Sequence, residues 1–314
     1  MTGGARLHSF GRAMLEKYGE PVHKIALDAG FTCPNRDGSR GTGGCTFCNN
    51  ASFSPHARKP APLDIQLEAG RAATGAVSGA RKFIAYFQAY TNTYERVEVL
   101  KGLYDRALAT PGVIGLSVGT RPDCVAAEVL HLLAAYRDAG QEVWLELGLQ
   151  SAFDETLRRV NRGHGFAEYA ATARAARALG IPLCCHLIIG LPGEAEAHYH
   201  ATLDAVLDTG VDGLKLHPLH VVKHTRLALE WKRGEYAPME LADYVRIAAD
   251  LVERTPWEVV LHRVTATAPR EILLAPAWCA GKWPAINVIA RELARRDSRQ
   301  GSRWSQPEGG RHAA

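Results

Sequence analysis

Three cysteines stand close together early in the chain, Cys33, Cys45 and Cys48, in the pattern C-x11-C-x2-C. The loop that carries them, Gly30 to Asn50, is rich in Gly, Asn and Asp. Two thiolates at C-x2-C spacing reach one metal or cluster without strain. The glycines permit tight turns whose free N–H groups can face sulfur. Arg36, Arg40, Arg58 and Lys59 would offset thiolate charge. Three kinds of chemistry fit these residues. Structural zinc would need a fourth ligand, for which His56 is a candidate. A [4Fe–4S] cluster on three thiolates would leave one iron open to a further ligand. A redox dithiol fits less well, because the C-x2-C pair does not open a helix.

Such a loop needs a scaffold. Short β-rich runs at Val22–Asp28, Lys82–Gln88, Val113–Gly119, Glu142–Gln150, Leu183–Gly190 and Gly213–Pro218 alternate with amphipathic stretches. These helical segments are Asp64–Ser78, Tyr94–Ala109, Cys124–Ala139, Phe166–Leu179 and Glu194–Asp208. Gly79, Gly140, Gly180 and Gly210 stand where left-handed helix C-termini belong. Repeated βα units build a parallel sheet, so the expected fold class is α/β, a partial (βα)6 TIM-like barrel. After Pro218 the rhythm changes to a helix at Pro238–Arg254, a strand at Trp257–His262 and a helix at Pro284–Arg296, read as a C-terminal α/β extension. The expected division is residues 1–220 for the barrel with its cysteine loop at 30–50, 221–297 for the extension packed on it, and 298–314 as a flexible basic tail.

Alternation within the strands predicts what the barrel encloses. In Glu142–Gln150, Val143, Leu145, Leu147 and Leu149 share one face, and Trp144, Glu146, Gly148 and Gln150 the other. Tyr86 with Gln88, Lys215 with His217, and Lys24 with Asp28 likewise oppose apolar neighbours. A barrel packed solid would fill its interior with branched apolar side chains. A buried carboxylate is costly unless paired or hydrogen-bonded. The polar inner face therefore predicts a lumen filled by ligand. Cys124, Cys184 and Cys185 read as buried small hydrophobes.

The 314 residues are 46% hydrophobic and 22% charged, an ordinary globular composition that excludes collagen-like, coiled-coil and wholly disordered chains. Seven cysteines, an odd number in a large chain, argue against a disulfide scaffold. No apolar run is long enough to span a bilayer, and no apolar h-region follows Met1, so a cytoplasmic location without membrane partners is expected. The net charge of +4 is uneven: +4 over residues 1–63, +3 over 291–314 and −3 between. The N-terminal excess surrounds the cysteine loop.

With its first strand, the loop Gly30-Phe-Thr-Cys-Pro-Asn-Arg-Asp-Gly38 and Gly43-Gly-Cys-Thr-Phe-Cys48 resembles the radical S-adenosylmethionine superfamily, although its spacing departs from the commonest C-x3-C-x2-C. The longer loop resembles one bacterial family of undefined substrate, itself similar to the radical domain of the elongator catalytic subunit. Gly119-Thr-Arg-Pro-Asp123, Leu145-Glu-Leu-Gly-Leu-Gln-Ser151, Asn161-Arg-Gly-His164 and Leu187-Ile-Ile-Gly-Leu-Pro-Gly-Glu194 extend the likeness. With Ala275-Pro-Ala-Trp278, Arg296-Asp297 and Gln300-Gly301 it covers nearly the whole chain.

The resemblance implies an enzyme in which Cys33, Cys45 and Cys48 ligate three irons of a [4Fe–4S] cluster and S-adenosyl-L-methionine takes the fourth. Reductive cleavage would give methionine and a 5′-deoxyadenosyl radical that takes hydrogen from an unidentified substrate. It also implies cofactor contacts: Phe47 near adenine, Gln88 and Asn92 in place of the superfamily's Gly-Gly-Glu, Glu146 at the ribose hydroxyls with Gln150 close by, and Gly190 against adenine. Glu146 has a competing reading, a salt bridge to Lys215 or Lys24 inside the barrel. His186, Lys215 and His217 are the substrate-side candidates. Cys279 is either inert or a hydrogen donor. The implied partner is an electron donor such as flavodoxin or ferredoxin, and a monomer or weak dimer is expected. Two alternatives remain: an RNA-modifying enzyme of the same class, against which stand the acidic middle and the lack of an acetyltransferase domain, and a non-catalytic protein stabilised by zinc or a cluster.

Overall fold

The computed structural model describes residues 6–52 and 60–305. Its strands are β1 (Val22–Leu27), β2 (Lys82–Phe87), β3 (Val113–Thr120), β4 (Glu142–Gln150), β5 (Leu183–Ile189), β6 (Gly213–Pro218), β7 (Val221–Val222), β8 (Val260–Arg263) and β9 (Leu273–Ala275). Its helices are α1 (Phe10–Tyr18), α2 (Leu63–Ser78), α3 (Val97–Leu108), α4 (Ala127–Asp138), α5 (Asp154–Arg159), α6 (Phe166–Ala178), α7 (Glu196–Asp208), α8 (Arg226–Lys232), α9 (Leu241–Arg254) and α10 (Lys282–Arg295). The main sheet runs in the order β1-β2-β3-β4-β5-β6-β8, with every neighbouring pair parallel. It curls into a half-barrel with helices outside. The first six strands lie within one residue of their expected bounds. The strand expected in the C-terminal extension is β8, and it joins the barrel sheet beside β6 as a seventh strand.

The two faces separate as the alternation predicts. Val143, Leu145, Leu147 and Leu149 of β4, with Phe83, Ala85 and Phe87 of β2 and Leu214 and Leu216 of β6, pack outward in one large apolar core. Parallel strands covered by crossover helices bury their outer face in this way. Glycines on the inner face make room for large neighbours: a Cβ on Gly213 would meet His262 Nε2 at 2.9 Å, and one on Gly148 would meet Arg162 at 2.8 Å.

Helices α1, α5 and α8 and the short strands β7 and β9 are elements that the sequence reading misses; of these, α1 reaches the barrel interior. Ser9 caps it, its hydroxyl accepting from Arg12 N at 3.3 Å, and Gly19 ends it at φ 69. Phe10 and Met14, one turn apart, enter the N-terminal end of the half-barrel and pack with Val22, Ile84, Trp144, Cys184 and Val260. Only Phe10 and Met14 of this helix are buried, with Arg12 between them, so the periodicity was weak; the cap, the Arg12–Glu16 pair and Gly19 were the available signals. Just before α1, His8 O accepts from Leu261 N at 2.9 Å, covering the free edge of β8.

Within the stretch expected as a tail, Gln300 is packed against the chain's N-terminal segment. The Gln300 side chain is buried; its oxygen accepts from His8 N at 2.9 Å, and its amide donates to Pro256 O and Val259 O. Residues 306–314 lie outside the described residues, as do His56, Arg58 and Lys59.

The Phe10 ring stacks at a tilt on His262, 4.6 Å between centroids. Phe10→Ala is expected to cost about 3 kcal/mol of stability, the usual scale for emptying a buried aromatic site, measured by urea unfolding. A loss within ~0.5 kcal/mol, the scale of an ordinary surface substitution, would show that α1 is not a structural plug.

Candidate active site

The cysteine loop follows β1 and folds over the C-terminal end of the sheet. Its turns come from its own backbone: Arg36 N and Asp37 N donate to Cys33 O, and Cys48 N donates to Cys45 O at 3.0 Å. The segment after α5 holds it in place. Asn161 Nδ2 donates to Gly44 O at 2.7 Å, Thr46 N donates to Val160 O, and Asn35 Nδ2 donates to Asn161 O.

Each sulfur lies beside a polar or basic partner. Cys33 Sγ is 2.9 Å from Asn35 Oδ1 and 4.0 Å from Arg121. Cys45 Sγ is 3.5 Å from both Asn35 Nδ2 and Arg162. Arg36 donates to Cys48 O at 2.8 Å. These arginines are themselves fixed: Arg121 by Asp123 and the carbonyls of Arg162 and Gly163, Arg162 by Gly148 O. Burial first, and then Cys45, push the Cys48 thiol up to about 11. The Asn161-Arg-Gly-His164 and Gly119-Thr-Arg-Pro-Asp123 segments thus brace the loop, a role that spacing alone did not reveal.

Beneath the loop, inside the half-barrel, lies a charged layer centred on Glu146, which is fully buried. Lys24 Nζ is 2.5 Å from Oε1, the Ser117 hydroxyl donates to Oε1 at 2.5 Å, and His186 Nε2 is 2.6 Å from Oε2. Lys215 pairs with Oε2 and also donates to Tyr86 OH at 2.9 Å. Burial would raise the Glu146 pKa, but Lys215 and Lys24, with hydrogen bonds from His186 and His262, hold it well below the carboxylate range. Burial brings the Lys215 ammonium down to about 8 against the pull of Glu146. Burial, and then Lys215, bring His186 down to about 4.

Between loop and charged layer opens a cavity enclosing about 1250 Å³, its open mouth included. Cys33, Cys45, Cys48, Phe47, Gln88, Gln150, His186 and His217 line it together. Gln150 reaches the wall through a bulge in β4 and a left-handed backbone, φ 83. Asn92, Glu146, Gly190 and Lys215 are not among the lining residues. Asn92 is buried and ties β2 to β3, donating to Phe87 O and Gly119 O. The backbone of Gly190 is engaged by Tyr199 and Tyr236. For Glu146 the geometry supports the ion-pair reading over ribose binding, because lysines, a hydroxyl and an imidazole already surround its carboxylate. Cys184, Cys185 and Cys279 are buried, whereas Cys124, expected to be buried, is half-exposed. Sequence reasoning missed Arg263, a cavity residue at the end of β8.

The model for the radical SAM superfamily matches residues 36–206, and that for its C-terminal domain matches residues 211–295. Protein YhcC of Escherichia coli K12 is 49% identical over 91% of this chain and 92% of its own. The chain belongs to the radical SAM superfamily. Enzymes of this superfamily use a [4Fe–4S] cluster and S-adenosylmethionine. A tRNA uridine(34) acetyltransferase of Dehalococcoides mccartyi is 32% identical over 52% of this chain and 35% of its own. The structure of Elp3 from the archaeon Methanocaldococcus infernus has the same fold, with a TM-score of 0.65 at 18% identity, covering 89% of this chain and 64% of that one.

The donor set suits the superfamily's cluster. Four tetrahedral ligands on zinc, at about 2.3 Å each, would bring their sulfurs within about 4 Å of one another. Among the described residues the ligand groups that close in to within 4.8 Å are Glu146–Cys184–His186 and Glu196–His200–Asp250, and the loop cysteines are not among them. A cluster spreads its thiolates over separate irons. In the same wall, both side-chain atoms of Asn50, Thr91 Oγ1 and Arg162 Nε have no hydrogen-bond partner among the described residues, as a site for a polar cofactor requires.

Glu146→Gln should cost about 3–5 kcal/mol by leaving Lys24 and Lys215 without a counter-charge, read by urea unfolding. Unchanged stability with weakened S-adenosylmethionine binding would restore the ribose reading. Acid should act in the same region. His186 and His220 titrate near 4 in the folded chain, below the ordinary 6.5, because burial excludes the charged form. Their contribution is complete above pH 6.5 and is lost as pH falls toward 4, where the unfolded chain binds protons that the folded one refuses. The urea midpoint should fall over that window; a flat profile would contradict neutral, buried imidazoles.

Proposed function

We propose that the cavity is the radical site of this enzyme. Cys33, Cys45 and Cys48 would hold the cluster, and Phe47, Gln88 and Gln150 on the same wall would contact S-adenosylmethionine. One observation carries the reading: three free thiols line one cavity, not all within 4.8 Å of one another, and braced by Asn35, Arg36, Arg121 and Arg162. When bound, cluster and cofactor supply a 5′-deoxyadenosyl radical by one-electron reductive cleavage. The protein's part is positioning and the exclusion of water. Arg162 and Asn35 fix the direction of Cys45, Arg121 that of Cys33. Phe47, Ile188 and Leu219 give the cavity apolar wall that keeps water from a reactive species. His186, locked on Glu146, and His217 face the substrate end. The electron donor would be a low-potential protein of the flavodoxin or ferredoxin type.

Likeness to the tRNA uridine(34) acetyltransferase is the observation behind RNA as a second reading of the substrate. It reaches 52% of this chain and leaves most of that enzyme unmatched.

Anaerobic reconstitution tests the reading. About four irons per chain, with 5′-deoxyadenosine released under dithionite, are expected. Cys45→Ala should lose cluster absorbance and lower cleavage at least 100-fold, about 2.7 kcal/mol. One tightly held zinc and no cleavage in the wild-type chain would overturn it.

A further inference from the structure

The described residues that line the cavity include four arginines and three histidines, and no aspartate or glutamate. Three of those arginines are already committed. Arg121 pairs with Asp123 at 2.8 Å, Arg36 donates to Cys48 O, and Arg162 is divided between Gly148 O and Cys45. Arg263 is different. Its side chain makes no hydrogen bond and no ion pair among the described residues, although it belongs to a strand whose register sets it beside Lys215. Its charge falls on His186 and His217, which it helps burial to hold neutral.

The neighbouring imidazoles are also unsatisfied. His217 Nε2 and His220 Nδ1 are buried atoms with no hydrogen-bond partner among the described residues. Both residues line the cavity. A half-buried guanidinium with no counter-ion, its charge reaching His217 in a cavity where two imidazole nitrogens are free, is costly unless a ligand completes it. S-adenosylmethionine would bring a sulfonium cation of its own, and the resemblance implies that its carboxylate would be taken by the open iron. The two lysines below outnumber the single carboxylate of Glu146, so that layer leaves no spare negative charge. What fits is an oxyanion, which guanidinium binds by paired hydrogen bonds and neutral imidazole assists by donating one more.

We propose that Arg263, with His217 and His220, forms a subsite for an anionic group of the substrate, a carboxylate or a phosphate, in the same cavity as the cofactor. This rests on the reading of the cavity as the radical site and narrows its substrate to an anionic molecule. The subsite selects substrates by charge, and Arg263 orients them from the β6–β8 side of the barrel.

Calorimetric titration of the anaerobically reconstituted chain with S-adenosylmethionine, at constant ionic strength, tests it with inorganic phosphate and with acetate as probes. One of the two should bind saturably, which identifies the class. Arg263→Gln should weaken that binding at least 10-fold, and Arg263→Lys, which keeps charge but not the fork, should fall between. Thermal melting of both variants checks folding, with the lysine variant as the measure if the glutamine variant unfolds. Absence of saturable binding by either probe in the wild-type chain would overturn the proposal. So would equal binding by Arg263→Gln, or a loss in that variant of S-adenosylmethionine affinity with anion binding intact. Iron content and 5′-deoxyadenosine release are measured on the same preparations. Their absence would sink the radical reading, whereas their presence without anion binding would sink only the subsite.

Discussion

A carboxylate buried from solvent must be matched by cations, and Glu146 imposes that condition on the barrel interior. Lys24 comes from β1, Ser117 from β3, His186 from β5 and Lys215 from β6, so one side chain of β4 draws four other strands onto a common centre. His262 of β8 adds a contact to Lys24 at 3.0 Å. An ion pair of this kind is weak evidence for net stability, since desolvation can exceed the Coulombic gain. Its value here is geometric. An apolar layer would allow the strands to slide or the lumen to collapse, whereas these partners fit in one register only.

The layer also divides the interior by depth. Below it, Trp144, Cys184 and the α1 residues Phe10 and Met14 make a dry plug. Above it the wall turns to glycine, glutamine and histidine, and the cavity opens. Arginine completes the upper end. At the cysteine loop a guanidinium can hold backbone carbonyls while facing sulfur, as Arg162 does, so it stiffens the loop and offsets thiolate charge together. Lysine, a point charge on a flexible stem, would not do both.

Much of this was legible from residue order. Alternation in β4 named both the outward leucines and the inward Glu146 and Gln150, because side-chain direction in a strand has a fixed period. The cysteine loop was legible from composition and spacing. Depth was not. A carboxylate on the inner face reads the same whether it stands on the floor of a cavity or below it, so Glu146 was assigned to both ribose and salt bridge. Arg263 escaped for another reason: β8 is four residues long and follows the break in the βα rhythm, which hid its place beside β6. Arg121 and Arg162 lie outside regular elements, where no period reports what a side chain meets. Gln300 was inside a stretch whose polarity reads as solvent-loving, yet tertiary contacts bury it.

Gln300 joins residues far apart in the chain, since Arg6 O accepts from its backbone N–H and His8 N donates to its side chain. Arg6 and His8 precede every strand of the barrel, and Gln300 follows them all. The seam beside β8 is therefore closed by residues from both extremes of the sheet's order, and no shorter piece of the chain contains the whole clasp. During synthesis the seven strands can be present while that clasp is still missing. That clasp therefore closes the outer edge of β8 only after all seven strands have been made.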